Sequence, residues 1–228
     1  MDYANPLFLI ARKIVRKFKI KKFFSKFLYG KEYEIKVEKA LFNEIRTGDY
    51  VWDIGSNIGH YISIFWKKVG PNGKIFAYEP HPITYQKLKN KFSQQNIICL
   101  NLALSNKAGI LNFSDKKNHE YNSIVNETYL EKKIIVEAET SDNIVKKSIA
   151  DIPNVIKIDV EGHELSVLQG MKEILTNKKL RCIMIEVHYQ IMDNMNLKNG
   201  VKKIVNILKL NNYKLKWVDP SHLLATRK

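Results

Sequence analysis

The sequence predicts an α/β fold built on a mostly parallel sheet, and three observations predict it. Short apolar runs of strand length alternate with stretches of helical periodicity along most of the chain, the pattern of βαβ units. A turn bracketed by Gly55 and Gly59 follows the first of these runs. Acids and histidines gather where the later runs end, at Glu79, Asp159, Glu161, Glu186 and His188. In open α/β sheets ligands bind outside the carboxyl ends of the strands. At 228 residues the chain is long enough for one substantial domain plus a small extension.

The extension comes first. Leu7, Ile10, Ala11, Ile14, Val15 and Phe18 share one helical face opposite Arg12, Lys13, Arg16 and Lys17. After Phe18 the apolar stripe changes phase, to Phe23, Phe24, Phe27 and Leu28, so two short helical pieces with a kink are expected over 7–28. Lys/Arg on one face and Phe/Leu on the other suits peripheral contact with an anionic membrane. The same faces could instead cover the sheet or form a dimer contact. Residues 1–30 are set apart as a basic amphipathic extension and 31–228 as the domain.

The charge supports an anionic partner. The chain carries 38 Lys/Arg against 23 Asp/Glu, a net +15, and residues 1–40 alone hold eleven Lys/Arg against four acids. A membrane surface, nucleic acid or a phosphorylated substrate would each answer that balance. Nucleic acid is disfavoured, because no interleaved polar and aromatic motif accompanies the charge. No apolar run is long enough to cross a membrane, and Leu7 to Ile10 is too short for a signal-peptide core. Cys99 and Cys182 fall in expected buried strands and match no metal spacing, which reads as reduced packing residues of a cytosolic protein. The expected location is cytoplasmic, peripheral on the inner membrane face.

Within the domain, a helix is expected over 31–46, ended by Thr47-Gly48-Asp49. Tyr50, Val51, Trp52 and Ile54 form a buried first strand with Asp53 near its end, and Asn57 is the expected cap of a helix running to Val69. The turn departs from the dinucleotide fingerprint G-x-G-x-x-G, and Asp53 would repel a pyrophosphate. It suits a cofactor with a cationic group, such as S-adenosyl-L-methionine. A second strand, Lys74 to Tyr78, ends in Glu79, 20 residues after Gly59. At that separation a carboxylate commonly meets ribose hydroxyls. A helix from Ile83 to Ser93 and a third strand from Ile97 to Leu102 follow, and Ala103-Leu104-Ser105 would fit an adenine ring.

Ala108 to Phe113 and Ile134 to Ala138 read as strands, paired as an excursion, with the polar stretch His119 to Val125 between them as a candidate lid. A fourth strand from Val155 carries Asp159 and Glu161 at its end. A helix from His163 keeps core spacing through Leu175. A fifth strand, Arg181 to Val187, ends with Glu186 and His188. A helix over Val201 to Leu210 precedes two terminal strands, Tyr213 to Val218 and His222 to Arg227, joined as an antiparallel hairpin.

The motifs VWDIGSNIGHY, FAYEPHP, NLALSN, VIKIDVEGHELSVLQG and IMIEVH, in this order, with the terminal NYKLKWVDPSHLLATRK, resemble the FkbM family of S-adenosylmethionine-dependent methyltransferases. The resemblance covers residues 31–228. The segment ETSDNIV near Asp142 resembles the family's threonine-leucine-acid stretch, with Ser141 in place of the leucine. The resemblance implies a class I (Rossmann-like) methyltransferase fold, with a seven-stranded, mostly parallel sheet and a C-terminal antiparallel hairpin. It also implies O-methylation of a hydroxyl, most often of a sugar in a glycan or glycolipid. It carries over Asp53, Gly55, Asn57 and Gly59 as the cofactor turn, Glu79 as the ribose ligand and Ala103 beside adenine. Asp159 and Glu161 fall beside the methyl group.

A sugar hydroxyl is a poor nucleophile until it loses its proton, so the site needs a base or a metal. His188 is a candidate base, and Asp159 or Glu161 could serve instead or orient the imidazole. A divalent metal, if present, would take Asp159, Glu186 and His188. Glu186 could equally anchor backbone or pair with a lysine, and His188 could shape the pocket. His163 would then be a helix cap or surface residue, while His60 and Tyr61 could contact the cofactor tail or simply pack. The alternatives to a sugar O-methyltransferase are an RNA methyltransferase and a non-catalytic, cofactor-binding, membrane-associated protein.

Overall fold

A computed structural model describes Asn5 and residues 30–114, 133–195, 197 and 199–227. The expected membrane-binding segment 7–28 and the candidate lid His119 to Val125 lie outside the described residues. In chain order the elements are α1 (Gly30–Glu44), β1 (Tyr50–Ile54), α2 (His60–Val69), β2 (Lys74–Tyr78), α3 (Pro82–Lys91), β3 (Ile97–Leu100) and β4 (Ala103–Leu104). Then come β5 (Gly109–Ser114), β6 (Lys133–Glu139), α4 (Ser141–Lys146), β7 (Val155–Ile158), α5 (Glu164–Gln169) and α6 (Lys172–Thr176). The chain closes with β8 (Cys182–Glu186), α7 (Tyr189–Asn194), α8 (Gly200–Leu210), β9 (Lys214–Trp217) and β10 (His222–Thr226).

Seven strands form one sheet in the order β3-β2-β1-β7-β8-β10-β9. All neighbours are parallel except β10, which runs antiparallel to both β8 and β9. Alternate side chains divide two apolar layers between the faces. Trp52, Ile54, Tyr78, Ile156, Ile158, Ile183 and Ile185 pack with Leu165 and Leu168 of α5 and Ile204 and Leu208 of α8. Val51, Ile75, Ala77, Val155 and Met184 pack with Leu41 of α1, Ile62 and Phe65 of α2 and Leu88 of α3. The helical stripe Ile62, Phe65, Val69 is what turns α2 onto the sheet.

Register fixes the site. Ile54 is paired with Tyr78 and with Ile158, and Ile158 with Ile185. These four residues form one row across the carboxyl ends of β1, β2, β7 and β8. The residues that leave the row are Gly55, Glu79, Asp159 and Glu186, so they share one edge of the sheet. Glu186 stands opposite His222, the first residue of the antiparallel β10.

Four sequence expectations are corrected. Asn57 does not cap α2; it lies in the left-handed region at φ 49°, and Gly59 holds the capping position. The third strand stops at Leu100, and Ala103–Leu104 pairs with β6 in a second sheet, ordered β4-β6-β5. The two excursion strands pair as expected, β5 against β6, and the pairing is antiparallel. The helix from His163 is two helices, because Gly170 meets the loop after β4 so closely that a Cβ would lie 1.9 Å from the Ser105 carbonyl oxygen. The new helix start at α6 is capped from a distance: both Asp142 carboxylate oxygens accept backbone N–H groups, from Glu173 and Ile174, each at 3.0 Å. Finally, α4 and α7 were not expected. For α4 the signal was present, as Thr140 accepts from the Asn143 N–H at 3.1 Å in ordinary N-cap fashion.

Candidate active site

A solvent-open cleft of about 660 Å³ runs along the carboxyl edge of the sheet. One wall is the turn after β1. Gly55 has φ +82°, and a Cβ there would lie 1.8 Å from the Asp159 carbonyl oxygen, so no side chain fits between the ends of β1 and β7. Asn57 and Glu79 continue that wall, while Leu102, Ala103, Leu104 and Phe113 form an apolar flank. Asp159, Val160, Glu161 and His163 close the other side.

Glu79 is buried, and each of its oxygens takes one backbone N–H, Oε2 from Asn57 at 2.9 Å and Oε1 from His81 at 2.8 Å. The left-handed turn at Asn57 is thus explained by its N–H, which aims at Glu79. Burial pushes the Glu79 carboxyl up to about 7, against the opposing pull of the two N–H groups. Its remaining lone pairs are open to two further donors.

Asp53 and Gly59 do not line the cleft. Asp53 is 1% exposed, and its nearest cation is Lys157 Nζ at 3.5 Å. Burial raises its carboxyl, with Lys157 opposing. The acid expected to face a cofactor cation therefore faces a lysine of its own chain, the residue beside it in register on β7. Lys157 also donates to Asp159 Oδ2 at 3.3 Å and lies 4.5 Å over the Tyr61 ring. Burial alone would lower the lysine, but Asp159 and Asp53 outweigh it and hold the ammonium above its ordinary value. Tyr61 is accounted for by this packing. His60 is on the surface, 2.8 Å from Glu38. A Cβ on Gly59 would meet Phe92 and Leu88, so that glycine serves helix packing.

At the far end of the cleft, Asp159, Glu161 and His188 come together, with donor atoms within 4.8 Å of one another. His188 Nε2 lies 3.4 Å from Glu161 Oε2, 3.8 Å from Asp159 Oδ1 and 3.9 Å from Glu186 Oε1. Its other nitrogen, Nδ1, is 2.7 Å from Glu164, a fully buried acid that also accepts the Gly162 N–H at 2.9 Å. Burial opposes charge on His188, but Glu164, then Glu161 and Asp159, raise it to about 10. Glu161 sits at φ 47°, strained for a residue with a side chain, and burial pushes its carboxyl up to about 7. Glu186 departs from the ligand set expected from sequence. Its Oε2 turns to His222 Nε2 at 3.4 Å, and His222 is held on its other side by Asp219 at 2.9 Å. Burial works against the Glu186 carboxylate, but His222 and then His188 and Lys157 bring it down to about 2.

His163 is neither a side-chain cap nor a surface residue. It makes no capping bond, lines the cleft and lies 2.9 Å from Ser105 Oγ, and burial lowers it to about 4. Sequence reading also passed over Lys157, Glu164 and His222. Lys157 had a legible signal, a single lysine inside the apolar run VIKI. Glu164 and His222 had none, since each becomes part of the site only through the partner that the fold brings to it.

A seven-stranded parallel sheet with one reversed strand, β10, set next to its edge strand β9, and a cleft at the carboxyl edge, is a class I methyltransferase fold. The chain belongs to the FkbM methyltransferase family, whose family model matches residues 53–215. It is 30% identical over 179 residues to the hexuronic acid methyltransferase AglP of Haloferax volcanii, covering 77% of this chain and 72% of that protein. It is 27% identical over 161 residues to the methyltransferase sdnD of Sordaria araneosa, covering 56% of this chain and 62% of that one. Among solved structures, an FkbM methyltransferase from Methylobacillus flagellatus superposes with a TM-score of 0.53 at 17% identity. That match covers 83% of this chain and half of the other.

Proposed function

We propose that this protein transfers the methyl group of S-adenosyl-L-methionine to a hydroxyl of a sugar, in a glycan or glycolipid. The observation that carries the reading is Glu79: a buried carboxylate at the end of β2, clamped by two N–H groups, with lone pairs open to the cleft. That arrangement fits a ribose diol, whose two hydroxyls can donate to one carboxylate. The apolar flank of Leu102, Ala103, Leu104 and Phe113 fits the adenine end of the same molecule. When bound, S-adenosylmethionine supplies an electrophilic methyl group on a sulfonium.

The acceptor class is supported by the relative named for hexuronic acid. The chain's own residues supply alignment and a destination for the proton. Binding along the cleft holds donor and acceptor in line, which is where much of the rate of a displacement arises. The acceptor's proton passes to the Glu161 carboxylate, held at about 7, in the cluster it forms with Asp159 and a protonated His188 at the far end of the cleft. His163, kept neutral by burial, holds the Ser105 loop against that end.

The test is transfer of isotope-labelled methyl to uronic-acid oligosaccharides, neutral oligosaccharides and RNA. The expected product is sugar carrying an alkali-stable label, the behaviour of a methyl ether. Label released by mild alkali would be an ester on a carboxylate and would overturn the hydroxyl assignment. Label on RNA alone would overturn the acceptor class. Glu161→Gln is expected to slow transfer by about 10²-fold or more, the usual loss for a proton-handling group, because its carboxyl is held at about 7.

A further inference from the structure

We propose that Asp159, Glu161 and His188 bind one divalent cation of the Mn²⁺ class at the acceptor end of the cleft, with Glu186 beside it. The inference deepens the methyltransferase reading; it rests on that reading for the cation's use, but not for its binding.

The geometry is that of a ligand set rather than of a hydrogen-bonded cluster. His188 Nε2 faces three carboxylate oxygens at 3.4, 3.8 and 3.9 Å and makes no hydrogen bond among the described residues. With metal–ligand bonds of about 2.1 Å, adjacent ligand atoms of an octahedron stand about 3 Å apart. The cluster therefore needs to contract by less than about 1 Å to close on an ion of that size.

The surrounding residues form the second, independent argument. His188, Asp159 and Glu186 are each tied down on one side and open on the other, around Glu161. His188 gives Nδ1 to the fully buried Glu164 at 2.7 Å, which directs Nε2 into the cluster. Asp159 gives Oδ2 to Lys157 at 3.3 Å and keeps Oδ1 toward Nε2. Glu186 gives Oε2 to His222 at 3.4 Å and keeps Oε1 toward Nε2. A carboxylate behind the far nitrogen of a histidine is the usual device for fixing its tautomer and raising its strength as a ligand. Surface acids have no such backing, and a centre shared by the open atoms gives these three restraints one purpose. A proton on Nε2 and a cation are alternatives for the same lone pair.

Carboxylates with one imidazole suit Mn²⁺ over Ca²⁺, which prefers oxygen alone, and over Zn²⁺, which favours thiolate and imidazole. A cation there would lower the pKa of an acceptor hydroxyl and add to the fixing of its position.

The experiment titrates chelator-stripped protein with Mn²⁺ and follows free Mn²⁺ by electron paramagnetic resonance. One site per chain is expected in the wild type. Glu161→Gln and His188→Ala are expected to abolish it, and Glu164→Gln to weaken it by about 10- to 100-fold, the usual effect of removing a backing carboxylate. Circular dichroism and thermal melting, expected to match the wild type within a few degrees, confirm that all three variants are folded. Failure of the wild type to take up Mn²⁺ at millimolar concentration would overturn the proposal, as would wild-type uptake by Glu161→Gln. Methyl transfer that persists in excess chelator, in a protein with no Mn²⁺ site, would remove the cation and leave the methyltransferase reading standing.

Discussion

Replacing Glu79 by glutamine isolates the one carboxylate on which the cofactor assignment depends. In the free protein, burial raises this carboxyl from 4.5 to about 7, because only two N–H groups offset its removal from water. A ribose diol would add two donors to the ionised form. Hydrogen bonds to a charged acceptor contribute about 1.5–3 kcal/mol each. Glutamine keeps one carbonyl acceptor and places an amide where the other oxygen was, so one of those bonds is lost and the other weakened. A loss of about 2–4 kcal/mol follows, or roughly 30- to 1,000-fold in Kd. The pH dependence has a definite sign. Cofactor binding favours the ionised carboxylate, so wild-type affinity should fall as pH drops below about 7, by at most about tenfold per pH unit for one proton. Glu79→Gln should lack that slope. Fold stability runs the opposite way: a raised carboxyl stabilises the empty fold fully below pH 4.5, and this is lost as pH rises through about 7. Calorimetry on cofactor-free protein between pH 5.5 and 8.5 (a window of about three pH units around that value) measures the affinities, and thermal melts the stability. A Kd within about threefold of wild type, with the same pH slope, would refute the ribose contact.

Three other predictions concern parts of the chain away from the ribose site. Lys157→Met removes the only cation within 4 Å of Asp53 among the described residues and should cost about 3–5 kcal/mol in chemical denaturation. Lys157→Met with Asp53→Asn should recover most of that loss, and failure to recover would mean that the lysine acts by packing alone. Asp142→Ala uncaps α6 and should cost about 1 kcal/mol, or roughly 2–4 °C in Tm for a chain of this size. Deleting residues 1–30 should abolish sedimentation with anionic vesicles, and equal sedimentation of both forms would remove the membrane assignment.

Much of the fold was legible because its signals are local. The apolar run at Tyr50 to Ile54, the stripe Ile62, Phe65, Val69 and the short buried run from His222 to Thr226 each state their own secondary structure. Glu79 was legible for a related reason, since a strand end at a fixed distance from a glycine turn is a property of one βαβ unit. The break between α5 and α6 was not legible, because it comes from a backbone 60-odd residues away, the Ser105 carbonyl against Gly170. The helical period continues straight through it. The position of Ala103 in a second sheet was hidden likewise, since its partner is Ala138. Residues 7–28 show the other limit: their amphipathic pattern is strong, but it names a face without naming what covers it.

The charges at the sheet edge were the least legible feature, and the reason bears on function. Reading acids at strand ends one by one gives a negative pocket inviting a cation. The fold instead gives nearly every acid a partner: from another element for Asp53 with Lys157, Glu164 with His188 and Glu186 with His222, and from two or three residues away for Asp159 with Lys157 and Asp219 with His222. A sulfonium donor explains why such balancing is useful. Methyl transfer discharges the sulfonium, so a strongly negative site would stabilise the charged donor more than the transition state and slow the reaction. Acids already neutralised by Lys157 and His222 can orient the acceptor without imposing that penalty. Glu161 is the exception: among the described residues its cationic partner is the shared Nε2 of His188, and burial pushes its carboxyl up to about 7. It is the acid of this edge whose charge is least settled by the fold, and so the one best placed to change state when acceptor, proton or cation arrives.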